Sequence, residues 1–331
     1  MTAGQAAVVR ERRPMLDGLR RLFRDRPIIP LVVLFVVLVA ILQLVRPGTV
    51  TANWAGITLR AAIPLALLAA CQTLTMLTGG IDLSVGTVAS MAAYLAATQT
   101  TGQGDVVAIL IALAAASFVG LMNGVGVGIF RVHPLIMTLG ISFVVLGLMN
   151  TYQLAMVRAG VVLPGVVDAL GSGTTLTIFP NSLLVFVPVA AIILLGLRRS
   201  GFGRLLFAVG DNPVAARLSG VRVWQVLVVL YVIAGFLAGV AGLLIGGLTK
   251  TASLGLAESY VLPSVAAAVI GGTSIMGGRG GYSGTIIGAL ILTVLTALLN
   301  AFQMPEGVRQ VLFGAIIVVV AAAYARVTGE T

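Results

Sequence analysis

The chain has 331 residues, of which 59% are hydrophobic and only 9% charged, and its formal net charge is +10. A soluble domain carries about 25% charged residues, so the composition excludes an ordinary soluble enzyme and indicates an all-α polytopic protein of the lipid bilayer. Nucleic-acid binding is excluded as well, because it needs a basic face on a soluble domain. The excess of positive charge is typical of cytoplasmic loops in membrane proteins.

Residues 1–27 contain seven arginines, and their apolar residues share one helical face. This pattern predicts a basic amphipathic segment on the inner membrane surface, followed by a single transmembrane permease domain over 28–326. A helical span needs about 20 residues, and we predict ten spans, some of them short, tilted or broken. They cover 28–45, 57–78, 86–100, 106–130, 135–154, 182–197, 224–248, 260–276, 282–303 and 308–325.

The distribution of basic residues predicts the topology. If the N-terminus lies inside, 15 basic residues fall on the inner side and five on the outer side. This bias predicts that both termini are cytoplasmic. It places the polar loop 198–223 in the cytoplasm and the connections 155–181 and 249–259 outside.

A glycine-containing segment, GGIDLSVG, interrupts the hydrophobic run that begins near residue 57. Gly79 and Gly80 end one predicted span. Asp82 or Ser84 can then accept hydrogen bonds from the free N–H groups that begin the next helix. Two interpretations are open: a structural cap, or a hinge or gate beside the transport pathway.

A second glycine break, GGTSIMGG, begins at Gly271 and Gly272 and also follows an apolar span. Asn123 and Asn300 each lie downstream of one break, in spans rich in small residues. Breaks at corresponding places in two halves indicate a weak internal two-fold repeat with a translocation site between the halves. The alternative is that glycine-rich breaks simply recur in multi-span proteins.

The loop 198–223 is the longest polar interruption in the chain and carries five arginines. Within it, Asn212 predicts an N-cap, Pro213 suits the first helical position, Val214–Ser219 continue the helix, and Gly220 can close it in the left-handed conformation. A helix of about seven residues is marginal alone. We therefore expect a partner or the membrane-embedded body to hold it.

Several kinds of chemistry are missing from the sequence. The single lysine, Lys250, is not preceded by the glycine of a nucleotide-binding P-loop, and His133 and Cys71 are the only histidine and cysteine. We expect no enzyme activity, cofactor or metal on this chain. The spans hold almost no ionisable residues, which ion-coupled carriers usually need. An external energy source is therefore favoured, and an ion-coupled secondary transporter of small polar solutes is the alternative.

The polar residues inside the spans are neutral, which suits hydrogen bonding to a polyhydroxylated substrate. Each could instead satisfy a neighbouring helix, as most buried polar groups in membranes do. The candidates for lining a pathway are Gln72, Asn123, Asn150 and Asn300.

Four blocks in the same order resemble the membrane subunits of bacterial ABC importers of the ribose/xylose/monosaccharide permease family. They are GGIDLSVG at 79, LMNGVGVGIFRVHPLIMTLG at 121, GRLLFAVGDNPVAARLSGV at 203 and VIGGTSIMGGRGGYSGTIIGALIL at 269. The resemblance covers most of the chain from about residue 55 to 325. It implies a multi-pass protein of the bacterial cytoplasmic membrane that carries a small neutral polyol or monosaccharide.

The resemblance also implies partners. These are a second permease subunit (identical or a close paralogue), two cytoplasmic ATPases or one fused tandem ATPase that binds ATP and Mg²⁺, and an external sugar-binding protein. It assigns ATPase coupling to Asp211, Asn212, Pro213, Val214, Ala215, Ala216, Arg217, Leu218 and Gly220. Of these, Ala215, Ala216 and Leu218 are expected to make the contact. The outer cations Arg158, Lys250 and Arg309 are candidates for docking the binding protein.

Overall fold

The computed structural model describes residues 28–156, 160–175, 178–305, 307–315 and 318. The predicted amphipathic segment 1–27 and the docking candidate Arg158 lie outside this part of the chain. The first six helices are α1 (Ile28–Val45), α2 (Ala52–Leu77), α3 (Val85–Gln103), α4 (Asp105–Gly128), α5 (Pro134–Ala155) and α6 (Gly165–Ser172).

Two short strands, β1 (Thr174–Thr175) and β2 (Phe179–Pro180), pair antiparallel after α6. A 3₁₀ helix covers Glu258–Tyr260, and residues 307–315 are also helical. The remaining helices are α7 (Leu183–Arg199), α8 (Gly201–Asp211), α9 (Pro213–Leu218), α10 (Val223–Thr249), α11 (Val261–Ile270) and α12 (Tyr282–Ala301).

The described residues are mostly helical, as composition predicts, and their long apolar helices agree with a multi-pass protein. Among the described residues, six helices are long and apolar enough to cross a membrane, namely α1, α2, α4, α5, α10 and α12. The number becomes seven if α7 and α8, which meet at an angle of 67°, are counted as one broken span. The span predicted at 260–276 is shorter than expected, because α11 ends at Ile270 where the second glycine break begins. The total of ten spans stays a prediction.

Helices α2 and α10 form the centre of the molecule. Helix α10 packs most extensively on α4 and also on α3, α2 and α6, while α12 packs on α1, α11 and α2. Helix α2 therefore joins two groups of helices. Helix α1 lies at the periphery, with Leu42 as its one buried residue.

Small residues explain the close approach of these helices. A Cβ atom on Gly120 or Gly124 of α4 would collide with the backbone of α10, at Tyr231 and Val228. Such contacts between glycine and a neighbouring backbone are typical of helix packing in membranes, where van der Waals contact replaces the hydrophobic effect as the driving force.

The two glycine breaks stop their helices with the same geometry. Gly79 has φ 75° and Gly272 has φ 89°, and in each case the next amide donates to the carbonyl five residues earlier. Helix α9 ends in the same way at Gly220, which has φ 85°. This arrangement is the Schellman motif, a general helix stop that favours glycine. The shared geometry is therefore not specific to the breaks, and the internal repeat stays a prediction.

Candidate functional site

Helix α9 has the ends that the sequence predicts. The side-chain oxygen Oδ1 of Asn212 accepts hydrogen bonds from the amides of Val214 and Ala215, at 3.0 and 2.9 Å. Pro213 occupies the first turn, where its missing N–H costs nothing. The helix ends at Leu218, one residue earlier than predicted. Local sequence therefore suffices to start and stop this element.

One face of α9 is apolar and exposed. Val214 and Leu218 are four residues apart, so they share a face, and their exposed fractions are 64% and 85%. Arg217 and Ala215 are exposed as well. Ala216, which is expected to take part in the contact, has its side chain buried within this chain. The available contact surface is Val214, Ala215, Arg217 and Leu218.

The segment before α9 is the helix α8, whereas the sequence predicts a polar loop over most of 198–223. Ser200 caps α8, since its hydroxyl accepts a hydrogen bond from the amide of Gly203 at 3.0 Å. Leu206 and Val209 are buried on one side of the helix. A serine cap followed by apolar residues at helical spacing was the signal that could have predicted α8.

A backbone contact between three segments lies at the end of α8. Here we call Leu77, Gly79, Gly210, Gly277 and Gly278 the glycine junction. The amide of Gly278 donates to the carbonyl of Leu77 at 3.0 Å, and a Cβ on Gly210 would collide with both residues. Gly277, with φ 94°, lies against Gly210 and Gly79. The two glycine breaks therefore meet each other and the helix that leads into α9.

The glycine junction lies directly before α9 in the chain, because Asn212, the cap of α9, follows Gly210 by two residues. There is no flexible linker between α9 and the junction. The segments that meet there are the end of α2, the end of α8 and the connection before α12. The end of α8 therefore joins α9 to the contact between the two glycine breaks.

The first glycine break also contains a buried polar cluster. Oδ1 of Asp82 accepts hydrogen bonds from the amide and the hydroxyl of Ser84, at 2.9 and 2.6 Å. Asn123 donates to the same hydroxyl at 2.9 Å, and Gln72 donates to the backbone carbonyl of Asp82 at 2.7 Å. Asp82 therefore bonds the amide of Ser84, the residue just before α3, and the side chain of Ser84 makes no capping bond to α3. The cap and the gate both stay predictions.

Two residues that support this cluster were not predicted. Thr138 of α5 accepts a hydrogen bond from the amide of Leu83 at 3.0 Å. The hydroxyl of Tyr231 lies close to Gly80, and a Cβ there would be 2.9 Å from it. Tyr231 comes from α10, far away in the sequence, so only the packing of α10 on α4 places it at the break.

The pathway candidates separate into three groups in the structure. Gln72 and Asn123 are fully buried and are used within the polar cluster. Asn150 is exposed on α5 and donates to the carbonyl of Leu146 in its own helix. Asn300 lines a cavity between α2, α11, α12 and residues 307–315. Within the described ranges, no cluster of three His, Cys, Asp or Glu residues could hold a metal ion.

The two docking candidates among the described residues, Lys250 and Arg309, lie at the end of the molecule away from α9. Helix α10 runs 27 residues, about 40 Å, from Val223 near α9 to Thr249. Lys250 follows it, with its Nζ 3.6 Å from a carboxylate oxygen of Asp168 and both side chains substantially exposed. Arg309 donates to Oδ1 of Asn300 and lines the same cavity, so its side chain does not simply project into solvent.

Comparison with known proteins defines the family of this arrangement. A family model described as "Branched-chain amino acid transport system / permease component" matches residues 55–321. The chain belongs to this permease family. It is a multi-pass protein of the bacterial cytoplasmic membrane and a transport subunit of an ABC importer.

Several of the similar proteins are named as sugar import permeases. The fructose import permease protein of Rhizobium meliloti is 28% identical over 274 residues, which is 80% of this chain and 76% of that protein. The ribose import permease proteins of Escherichia coli (strain K12) and Bacillus subtilis (strain 168) are 31% identical over 252 residues and 33% identical over 223 residues. The match to the Escherichia coli protein covers 74% of this chain and 77% of that protein. The match to the Bacillus subtilis protein covers 65% of this chain and 66% of that protein. The resemblance drawn from the four sequence blocks is confirmed, and no solved structure gives a significant match.

Proposed function

We propose that this chain forms the translocation pathway of an ATP-binding-cassette importer for a small neutral monosaccharide or polyol. The relatives are named for fructose and ribose, which are neutral polyhydroxylated solutes. The polar side chains in the membrane-spanning helices are almost all neutral, which suits such a substrate better than an ion or an amino acid zwitterion.

The observation that carries this proposal is the position of α9. It presents Val214 and Leu218 outward, with Arg217 beside them, and it is joined without a linker to the glycine junction. An exposed apolar pair on a short capped helix is a suitable contact for a hydrophobic groove on another protein. Arg217, in the last turn, also suits the negative end of the helix dipole.

In this proposal the groove belongs to a cytoplasmic ATPase. ATP and Mg²⁺ bind to two such subunits, or to one fused tandem ATPase, and not to this chain. Their closure moves α9, the glycine junction passes the motion to α2 and to the connection before α12, and access to the pathway alternates between the two sides. A second permease subunit, identical or closely related, completes the pathway, and an external binding protein delivers the sugar.

Uptake into proteoliposomes tests the proposal. The chain is reconstituted with a candidate ATPase and a candidate binding protein. Uptake of labelled D-ribose and D-fructose is then measured with ATP on the side of the membrane that carries the ATPase. The expected result is uptake that needs ATP and both partners and is unaffected by an ionophore. Uptake that an ionophore abolishes while ATP is present would instead show an ion-coupled carrier.

A further inference from the structure

A cavity opens at the end of the molecule opposite the glycine junction. Its volume is about 400 Å³, which lies in the range of small-molecule sites. Trp54 and Thr58 from the start of α2 and Asn300 from the end of α12 contribute to its wall. Leu65 also lines it, so it extends over eleven residues of α2, about 16 Å along the helix axis.

The polar side of the cavity is built from hydroxyl and amide groups, with the guanidinium of Arg309 beside Asn300. Thr293 and Thr296 each donate to a carbonyl of their own helix at 2.8 Å, which leaves their hydroxyl oxygens able to accept a further hydrogen bond. Oδ1 of Asn300 accepts from Arg309, which leaves the amide nitrogen of Asn300 as a donor. Donors and acceptors at several points of the wall suit a ligand that carries several hydroxyls.

The other side of the cavity is aromatic. Trp54, Tyr260 and Phe313 contribute to its lining, and none of the described residues that form the wall is acidic. A sugar ring has C–H groups on its faces and hydroxyls around its edge. Aromatic surface together with hydroxyl and amide groups and the guanidinium of Arg309 therefore matches a sugar ring better than a cation or a purely apolar solute.

We propose that this cavity is a binding site for one neutral monosaccharide within the permease itself. The role of the site in transport rests on the proposed function, in which sugar enters from the face opposite α9. Helix α2 links the two ends, because it forms the cavity wall from Trp54 to Leu65 and ends at Leu77 in the glycine junction. Movement of the junction would therefore change the shape of the cavity.

Tryptophan fluorescence tests binding directly. The chain has two tryptophans, Trp54 in the cavity wall and Trp224 at the start of α10. In a Trp224→Phe variant, purified in lipid nanodiscs, Trp54 is the sole reporter. Titration with D-ribose, D-fructose or D-galactose should give a saturable change in emission with at least one sugar. Glycine betaine at equal osmolarity should give none, and the Trp54→Phe variant should not respond.

A second variant tests the contact chemistry. Thr296→Val replaces the hydroxyl by a methyl group of nearly equal volume and should weaken sugar binding about fivefold. The matched control is Thr249→Val, because Thr249 makes the same bond to its own helix, at 2.9 Å, but does not line the cavity. Thr249→Val should leave the affinity unchanged. A sole-Trp54 protein that responds to none of the three sugars, or equal affinity in Thr296→Val and the parent, would overturn the site.

This assay needs neither the ATPase nor the binding protein, so it separates the site from the proposed function. Saturable binding without ATP-driven uptake would support the site and reject the importer. ATP-driven uptake by a protein whose Trp54 never responds would support the importer and reject the site.

Discussion

The amide of Gly278 donates a 3.0 Å hydrogen bond to the carbonyl of Leu77 and so connects the two glycine breaks of the chain. Gly210, at the end of α8, packs directly against the backbone of both residues. No side chain stands between these backbones, so none can bend to absorb a displacement. The contact is therefore suited to transmit movement between α9 and the helix body, and it is the first place to test the coupling proposal.

Gly210→Ala should uncouple ATP hydrolysis from transport. The added methyl would collide with the backbone of Leu77 and Gly278, and overpacking of this kind costs about 1–3 kcal/mol. Because the exposed face of α9 is untouched, the ATPase should still bind and hydrolyse ATP. Sugar uptake into proteoliposomes should fall by about tenfold or more relative to ATP hydrolysis.

The matched control for this change is Gly196→Ala in α7, because a Cβ at Gly196 meets nothing within 4 Å. That variant should transport normally. If Gly210→Ala kept the parent ratio of sugar transported to ATP hydrolysed, the glycine junction would not be part of the coupling route.

Leu218→Asp should abolish assembly with the ATPase without harming the fold. The side chain is 85% exposed, and substitutions at such positions usually change the free energy of unfolding by less than about 0.5 kcal/mol. A carboxylate placed in an apolar groove would lose its hydration and oppose binding. Co-purification of the tagged permease with the ATPase measures the effect, and the thermal unfolding midpoint checks the fold.

Leu218→Met is the control for that experiment, since it keeps an apolar side chain of similar volume. It should retain assembly. A stable complex between the ATPase and the Leu218→Asp protein would show that this face of α9 is not the contact.

Much of the fold follows from local sequence. Hydrophobic runs predicted α1, α4, α5 and α10 to within a few residues, and Asn212 with Gly220 predicted both ends of α9. These features depend on interactions between residues close in the chain. Helix α11 is shorter than predicted because glycines at 271 and 272 stop it, and an apolar run does not show where such a stop acts.

The arrangement of the site could not be predicted in the same way. Sequence patterns marked Gly79, Gly272 and the coupling segment separately, but nothing in them shows that the two breaks meet at Gly210. Tyr231 reaches Gly80 only because glycines let α10 approach α4 closely. Asn150 looked equivalent to Asn300, yet its helix turns it to the outer surface. Such long-range relationships depend on packing.

Lys250→Ala should weaken docking of the external binding protein mainly at low ionic strength. Lys250 is exposed and already lies 3.6 Å from Asp168, and exposed charge pairs contribute about 0–1 kcal/mol and are screened by salt. The affinity measured by surface plasmon resonance should fall about threefold in low salt and little in high salt. Lys250→Arg should behave like the parent, and an unchanged salt dependence in Lys250→Ala would remove Lys250 from the docking surface.

Asp82→Asn distinguishes a cap from a gate. Oδ1 of the Asp82 carboxylate accepts hydrogen bonds from the amide and the hydroxyl of Ser84, and asparagine keeps an oxygen at this position. As a cap, the variant should express, unfold and transport like the parent, because asparagine and aspartate are about equally good N-caps. Asp82→Ala removes the acceptor and leaves the donors of Ser84 buried, so it should lower the free energy of unfolding by about 1–3 kcal/mol. If Asp82→Asn folded normally but transported no sugar, the carboxylate charge would be needed for transport itself, and the gate interpretation would replace the cap.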